Sequence, residues 1–300
     1  MAAATTRDGS RFSRDTIVER RGEGRYRASL NEDWGAPVRP QGGFVTVVAL
    51  RAMEAELDDP TQRLRSVTTV FAAQVRPGSV EIDVGLLRRG RSMSQLTATV
   101  RSPGETAGHT SIAVFGGARP GFEFTDLAPP DVPAPAACPS FRDPPPAGFE
   151  RKARFTWWDQ VEGRAAVGHA PWDDWVPTTS DRAYWFKFDE PPIVDGGVLD
   201  PLALVTLCDT MPGAVSERMG SGNPFWLPPS ADLTVHVLGD AGPGWLLAHN
   251  RARWAGDGYA SVEVAVWDPE RGLAAYATQM MFFSFPDGPL PAEKRRPRTA

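Results

Sequence analysis

Apolar positions along the chain follow two periods, and the same order of periods occurs twice. In the first half, a nearly continuous apolar run at 41–57 opens with a glycine pair and predicts a helix that is hydrophobic on almost every side. Segments with alternating apolar and polar residues follow and predict antiparallel strands. These segments are 65–75, 80–90, 92–102 and 109–117.

The second half repeats this order. A glycine pair and an apolar run at 196–215 predict one helix that starts just after Asp200, since Asp200 and Pro201 suit an N-cap and a first helical position. Four alternating segments predict the strands 231–239, 244–254, 259–268 and 274–285. Val70 and Val235 occupy matching places in the two halves, and Gly104 and Glu270 do so too, with almost the same separation along the chain. This nearly constant offset indicates an internal duplication.

A helix that is apolar all round needs a sheet curled around it. We therefore predict an α+β fold made of two fused hotdog repeats, each a long antiparallel sheet wrapped around a central helix. A stretch rich in proline and alanine separates the repeats and suits a linker. The predicted boundaries are a flexible N-terminus (1–13), an N-terminal hotdog (14–121), the linker (122–149), a C-terminal hotdog (150–286) and a flexible tail (287–300).

Composition excludes several classes of function. A net charge of −5 argues against nucleic-acid binding, which needs a basic surface. The sequence shows neither a signal peptide nor an apolar segment long enough to span a bilayer, so we expect a cytoplasmic protein. Two cysteines suit a reduced compartment. The four histidines are scattered without ligand spacing, so we expect no metal site.

Several segments carry a family resemblance through their common order over both repeats. They are QGGFVTVVALRAM, FAAQVRPGSVEIDV and RRGRSMSQLTATV in the first half, and LALVTLCDTMPGAV, DLTVH and LAAYATQMMFF in the second. The chain resembles the double-hotdog type II acyl-CoA thioesterase family. This resemblance implies a hydrolase of lipid metabolism that cleaves acyl-CoA thioesters to free acid and CoA without a cofactor.

The resemblance also implies three site residues. The acid of the family's helix falls on Asp209, and the glutamine of its last long strand falls on Gln279. The family threonine ahead of the Leu-Thr-Val-His strand aligns most simply with Pro228, and Ser230 is the nearest hydroxyl. The predicted catalytic set is therefore Asp209, Gln279 and Ser230.

Asp209 also attracts attention without the resemblance, because it is the only charge in the apolar run of its helix. Burying a lone carboxylate is costly, so such a residue is usually paired or functional. The alternative is a capping or salt-bridging aspartate near the helix end. Counting equally far from each glycine pair places Ala55 opposite Asp209 in the first repeat, which predicts chemistry in one repeat only.

Other polar residues have a structural explanation that is at least as good. Gln279 shares a strand face with apolar residues and could simply bond to neighbouring backbone. We assign no catalysis to His109 or His236. Two basic clusters could receive the CoA phosphates or could be solvated surface charge. These clusters are Arg88, Arg89 and Arg91, and Arg151, Lys152 and Arg154.

The predicted mechanism uses water rather than a covalent intermediate. Asp209 would deprotonate the water, Gln279 and Ser230 would position it, and backbone N–H groups near a helix start would hold the oxyanion. No Gly-x-Ser-x-Gly nucleophile elbow occurs. The alternatives are a non-catalytic acyl-CoA or acyl-carrier binding protein and, with less support, a hotdog enoyl-CoA hydratase. The sequence leaves open whether the chain forms a homo-oligomer.

Overall fold

The computed structural model describes residues 9–36, 39–149, 155–170 and 172–297. Within these ranges it contains four α-helices: α1 (Arg11–Asp15), α2 (Gly42–Leu57), α3 (Pro201–Cys208) and α4 (Gly213–Met219). Every residue of α3 after Pro201 is buried, and most of α2 is buried too, as expected for helices that lie inside curled sheets. No helix in the described ranges is long and apolar enough to cross a membrane.

In the part of the chain that the structure describes, twelve strands form one antiparallel sheet. The first half contributes β1 (Glu19–Gly22), β2 (Arg25–Leu30), β3 (Arg63–Phe71), β4 (Gly78–Arg88), β5 (Met93–Arg101) and β6 (His109–Gly116). The second half contributes β7 (Val161–Val167), β8 (Asp181–Phe188), β9 (Asp232–Val237), β10 (Leu246–Gly256), β11 (Tyr259–Asp268) and β12 (Gly272–Phe282). Two ribbons of two-residue strands lie outside this sheet.

The strand order shows the duplication directly. It runs β1-β2-β4-β5-β6-β3 and continues as β9-β12-β11-β10-β8-β7, which is the first half's order reversed. The halves meet at β3 and β9, where Thr68 lies opposite Thr234, its counterpart in the second half. Val70 therefore corresponds to the exposed His236, one residue beyond the predicted Val235, and Val70 is exposed too. Joining the halves in this way pairs two strand edges that would otherwise be exposed. The predicted double-hotdog fold is confirmed.

The second central helix differs from its prediction. Instead of one helix over 196–215, α3 ends at Cys208 and α4 begins at Gly213. Pro212 explains the break, because a proline has no N–H to donate to the carbonyl of Cys208 and its ring disfavours helical backbone before it. Asp209 is the first residue beyond α3, with φ −87° and ψ 41°. The break therefore places the predicted acid at a helix end.

Two of the predicted boundary segments contain packed residues. The boundary after residue 13 falls inside α1, whose Phe12 is fully buried in the core. The predicted linker is partly packed on the outer face of the second half: Trp185 donates to the Pro133 carbonyl (2.9 Å), and Cys138 is buried beside Trp185. The middle of the linker thus packs as part of the second half, because the apolar outer face of its sheet needs a cover.

Candidate active site

Asp209 lies where the two halves touch, facing the start of α2. Its Oδ2 accepts a hydrogen bond from the backbone N–H of Gly43 at 2.8 Å. The first N–H groups of a helix have no partner within the helix and carry the positive end of its dipole. An acid from the second half therefore caps the central helix of the first half.

The glycine pair makes this approach possible. A Cβ on Gly43 would lie 2.8 Å from the Val205 carbonyl oxygen and 2.9 Å from Cβ of Asp209, and a Cβ on Gly42 would lie 2.8 Å from the Phe71 ring. Gln41 holds the contact from the other side, since its Nε2 donates to the Thr206 carbonyl at 2.9 Å. Any side chain at Gly43 would push α2 and α3 apart.

Gln279 and Ser230 complete the cluster. Nε2 of Gln279 donates to Oδ1 of Asp209 (2.8 Å) and to Oγ of Ser230 (2.6 Å). Gln279 is 2% exposed and lies on the inner face of β12, and Ser230 forms an isolated bridge with Met281 beside it. The structure thus brings the three predicted residues within hydrogen-bond distance, with Ser230 rather than residue 228 supplying the hydroxyl.

The hydrogen bonds of the Gln279 amide leave the Ser230 proton and the Gln279 carbonyl oxygen without a partner in the cluster. Both protons of Gln279 Nε2 are used, one on Asp209 and one on Ser230, so the Ser230 hydroxyl accepts and keeps its own proton to donate elsewhere. Oε1 of Gln279 is buried and has no partner among the described residues. With Asp209 ionised, the opposite amide orientation would set oxygen against oxygen, so the carboxylate itself fixes this arrangement.

Burial raises the pKa of Asp209 from 3.8 to about 6, because its ionised form loses hydration among apolar neighbours. The hydrogen bonds from Gly43, Gln279 and Gly42 stabilise the carboxylate and limit this rise. The residue as a whole is partly exposed, although its carboxyl lies among apolar neighbours. A carboxylate with these properties is ionised at neutral pH yet basic enough to accept a proton.

The other candidates lie elsewhere. Arg89 donates to the Leu57 carbonyl at the far end of α2, roughly 22 Å from its start at 1.5 Å per residue. Arg151, Lys152 and Arg154 lie outside the described residues.

Neither histidine touches Asp209. His236 is exposed on β9. His109 is buried edge-on against Phe71, and burial lowers its pKa to about 4 and keeps it neutral.

Counted from Gln41 and Asp200, the residues that precede the two helices, Asp209 corresponds to Leu50 in the first half and not to Ala55. Arg51 reaches the start of α3, where Nη2 pairs with Asp200, just as Asp209 reaches the start of α2. The count from the glycine pairs fails because Gly196 and Gly197 precede a two-residue strand and do not open the helix. From the sequence alone, Gly42 and Gly43 are predicted only to open the helix. Their direct contact with the acid could not be inferred from spacing.

No group of three His, Cys, Asp or Glu side chains suited to a metal ion occurs in the described ranges. The expectation that no metal is needed stays a prediction.

Comparisons with known proteins agree with this architecture. A model of the acyl-CoA thioesterase N-terminal domain matches residues 30–116, and one of the acyl-CoA thioesterase C-terminal domain matches residues 135–283. No curated protein matches the chain.

Among solved structures, a hotdog-fold protein of unknown function from Alicyclobacillus acidocaldarius is 25% identical. The match covers 92% of this chain and 98% of that one, with a TM-score of 0.75. An acyl-CoA thioesterase II from Mycobacterium marinum is 19% identical, with 93% and 100% coverage and a TM-score of 0.70. At this level of identity the second likeness shows the fold alone.

Proposed function

The chain belongs to the acyl-CoA thioesterase family, and from that premise we propose that it hydrolyses acyl-CoA by using Asp209 as a general base on water. One observation carries this proposal: a carboxylate with a pKa of about 6 is held by Gly43 and Gln279 beside a serine hydroxyl. General bases work best when their pKa lies near the working pH. The enzyme class follows from the family, whereas the roles of the three residues are the proposal.

In the proposed reaction, water donates a proton to Asp209 while its oxygen attacks the thioester carbonyl. The Gly43 N–H and the Gln279 amide fix the carboxylate on two sides, so little reorganisation is needed when the proton arrives. The tetrahedral intermediate collapses by breaking its C–S bond. The thiolate of CoA leaves, and the proton on Asp209 can neutralise it.

The developing oxyanion needs a donor, and the Ser230 hydroxyl is the best placed. Its oxygen accepts from Gln279, which leaves the O–H free to donate to the carbonyl oxygen or to the water. The Gly43 N–H donates to Asp209 and so orients the base. This differs from the expectation that N–H groups at a helix start hold the oxyanion.

The test is to incubate the purified protein with saturated acyl-CoAs of increasing length and a thiol reagent. We expect thiol release with at least one chain length at rates typical of enzymes, on the order of 1–10³ per second. Binding measurements by calorimetry, made in parallel, distinguish hydrolysis from the alternative of a non-catalytic acyl-CoA binding protein. Tight binding without thiol release would contradict hydrolysis and support an acyl-CoA binding protein.

A further inference from the structure

Tyr184 on β8 carries a buried hydroxyl that the proposed mechanism does not use. The residue is 6% exposed, and its hydroxyl has no hydrogen-bond partner among the described residues. Its ring packs under the guanidinium of Arg182, 4.2 Å from ring centre to Cζ, and against Phe141. A buried hydroxyl without a partner is costly, because it has lost its hydrogen bonds to water and gained none in return. Such a group calls for an explanation.

The first half supplies an internal control. Tyr26 on β2 pairs with Ile82 of β4, and Tyr184 pairs with Ala248 of β10, the strand that holds the place of β4 in the second half, so the two tyrosines are equivalent. The Tyr26 hydroxyl donates to Glu56 at 2.6 Å. In the second half the nearby acid on α4, Glu217, instead binds His169 (2.8 Å) and faces Arg182. Of these two tyrosines, only Tyr184 lacks an acid partner among the described residues.

A second polar group lies diagonally across the strands from Tyr184, on the same sheet face. Asn250 on β10 is fully buried and pairs across the strands with Arg182. Its Oδ1 has no partner among the described residues, and its Nδ2 reaches only the Ala248 carbonyl at 3.5 Å, the limit of hydrogen-bond distance.

The first half has an apolar residue at the place of Asn250. Asn250 lies opposite Val264 of β11, and at the same place in the first half Val84 lies opposite Ala98 of β5. The second half has therefore replaced an apolar residue with an unpartnered amide.

These groups lie on the same inner sheet face as Gln279. Gln279 lies opposite Val262, and Asn250 lies opposite Val264, so two strand spacings of about 4.8 Å separate β12 from β10. α4 packs over β10 and β8 and begins four residues after Asp209. If the thioester of a substrate lies at Asp209, its acyl chain would extend toward Tyr184 and Asn250. The carbon that reaches these two residues would lie several positions from the carbonyl.

We propose that Tyr184 and Asn250 form a subsite for a hydroxyl group on the acyl chain of the substrate, an inference that rests on the proposed function. A hydroxyl matches both free groups, because it can accept from the Tyr184 O–H and donate to Asn250 Oδ1. A carboxylate fits less well, since it has no proton for Oδ1 and Glu217 already occupies the positive charge of Arg182. The substrate class is therefore a hydroxylated acyl-CoA.

The experiment compares kcat/KM for saturated medium-chain acyl-CoAs and for the same chains with one hydroxyl group at successive carbons. We expect the native protein to favour one hydroxylated position by about 10- to 100-fold, the range for one or two buried hydrogen bonds. Asn250→Val and Tyr184→Phe should each remove most of this preference while retaining hydrolysis of the plain chain. Val84 at the equivalent position indicates that Asn250→Val will fold. Tyr26→Phe is the matched control and should leave the preference intact.

The outcomes separate this inference from the proposed function. If plain chains are hydrolysed, but no hydroxylated chain is preferred or Asn250→Val keeps the preference, the subsite is wrong and the proposed hydrolysis stands. In that case the two groups serve only to bind an internal water. If no acyl-CoA of either kind is hydrolysed, the proposed function fails and the subsite with it.

Discussion

The starts of the two central helices occupy equivalent places in the two halves, but the side chains that meet them differ in charge and burial. At the start of α2, Asp209 accepts from the Gly43 N–H and remains partly accessible to solvent. At the start of α3, Asp200 caps its own helix and pairs with Arg51, and both side chains are at most 5% exposed. One helix start thus faces a single acid whose pKa is raised by burial, and the other is closed by a buried ion pair.

The sheet positions next to the two helix starts also differ, because they are polar in the second half and apolar in the first. Gln279 in the second half corresponds to Ala113, which pairs with Leu96 as Gln279 pairs with Val262. Ser230, bridged to Met281, corresponds to Leu64, which pairs with Phe115. After duplication, a fold can keep a structural contact in one copy and place reactive groups in the other, because the backbone that positions both is the same.

The largest effect should come from Asp209→Asn. Asparagine keeps the size but cannot accept the water's proton, so we expect kcat to fall about 10²- to 10⁴-fold with KM little changed. Thiol-release assays measure this loss. Asp240→Asn, an exposed acid on the surface, is the matched control. Near-native turnover in Asp209→Asn would remove the proposed base.

Arg51→Met, at the start of α3, should lower the free energy of unfolding but leave the rate of hydrolysis unchanged. It leaves Asp200 buried without its cation, which typically costs about 3–5 kcal/mol, whereas turnover per folded molecule should change little. Chemical denaturation gives the loss. Arg63→Met, which opens the exposed pair with Asp240, should cost less than about 1 kcal/mol. Equal losses of unfolding free energy in Arg51→Met and Arg63→Met would contradict a stabilising role for the buried ion pair at α3.

Gln279→Ala tests whether the second half's polar groups act as a unit. We expect kcat to fall about 10- to 100-fold, because the variant frees Asp209 and Ser230 to move and removes one fixed hydrogen bond from the carboxylate. Combined with Asp209→Asn, the loss should be smaller than the product of the separate losses. Fully multiplicative losses in the double mutant would mean that the two residues act independently.

The pH dependence should follow the Asp209 carboxyl. Since the ionised form is the base, kcat/KM should rise about tenfold per pH unit below a pKa of about 6 and level off above it. Gly43→Ala should weaken the hydrogen bond from the Gly43 N–H to the carboxylate, which raises the pKa of Asp209. The rise of kcat/KM with pH should therefore occur at higher pH in this variant. An acid limb near pH 4 in the native protein would contradict the raised pKa.

The smallest effect should come from removing metal. Dialysis against a chelator should leave kcat within about twofold, because the proposed steps need only a carboxylate, an amide and a hydroxyl. Loss of activity that one specific metal restores would overturn this expectation.

Much of the site could be predicted because its signals are local. A single charge in an apolar run identified Asp209, and the two-residue period placed Gln279 on the buried face of its strand. Ser230 was predicted as the nearest hydroxyl, and the structure brings it to Gln279. The helix was predicted to continue to 215, although the alternative of a helix end near Asp209 was open, and the structure ends it at Cys208 ahead of Pro212.

The sequence by itself determined the duplication and the fold class, because periodicity acts over a few neighbouring positions, and the family resemblance supplied the candidate site residues. Only the tertiary structure decided what each helix start meets. Gly43 and Asp209 are far apart in the chain, as are Arg51 and Asp200, and both contacts are made only when β3 and β9 join the halves. Spacing along the chain cannot supply these contacts, since they depend on how closely two helices pack across the joint.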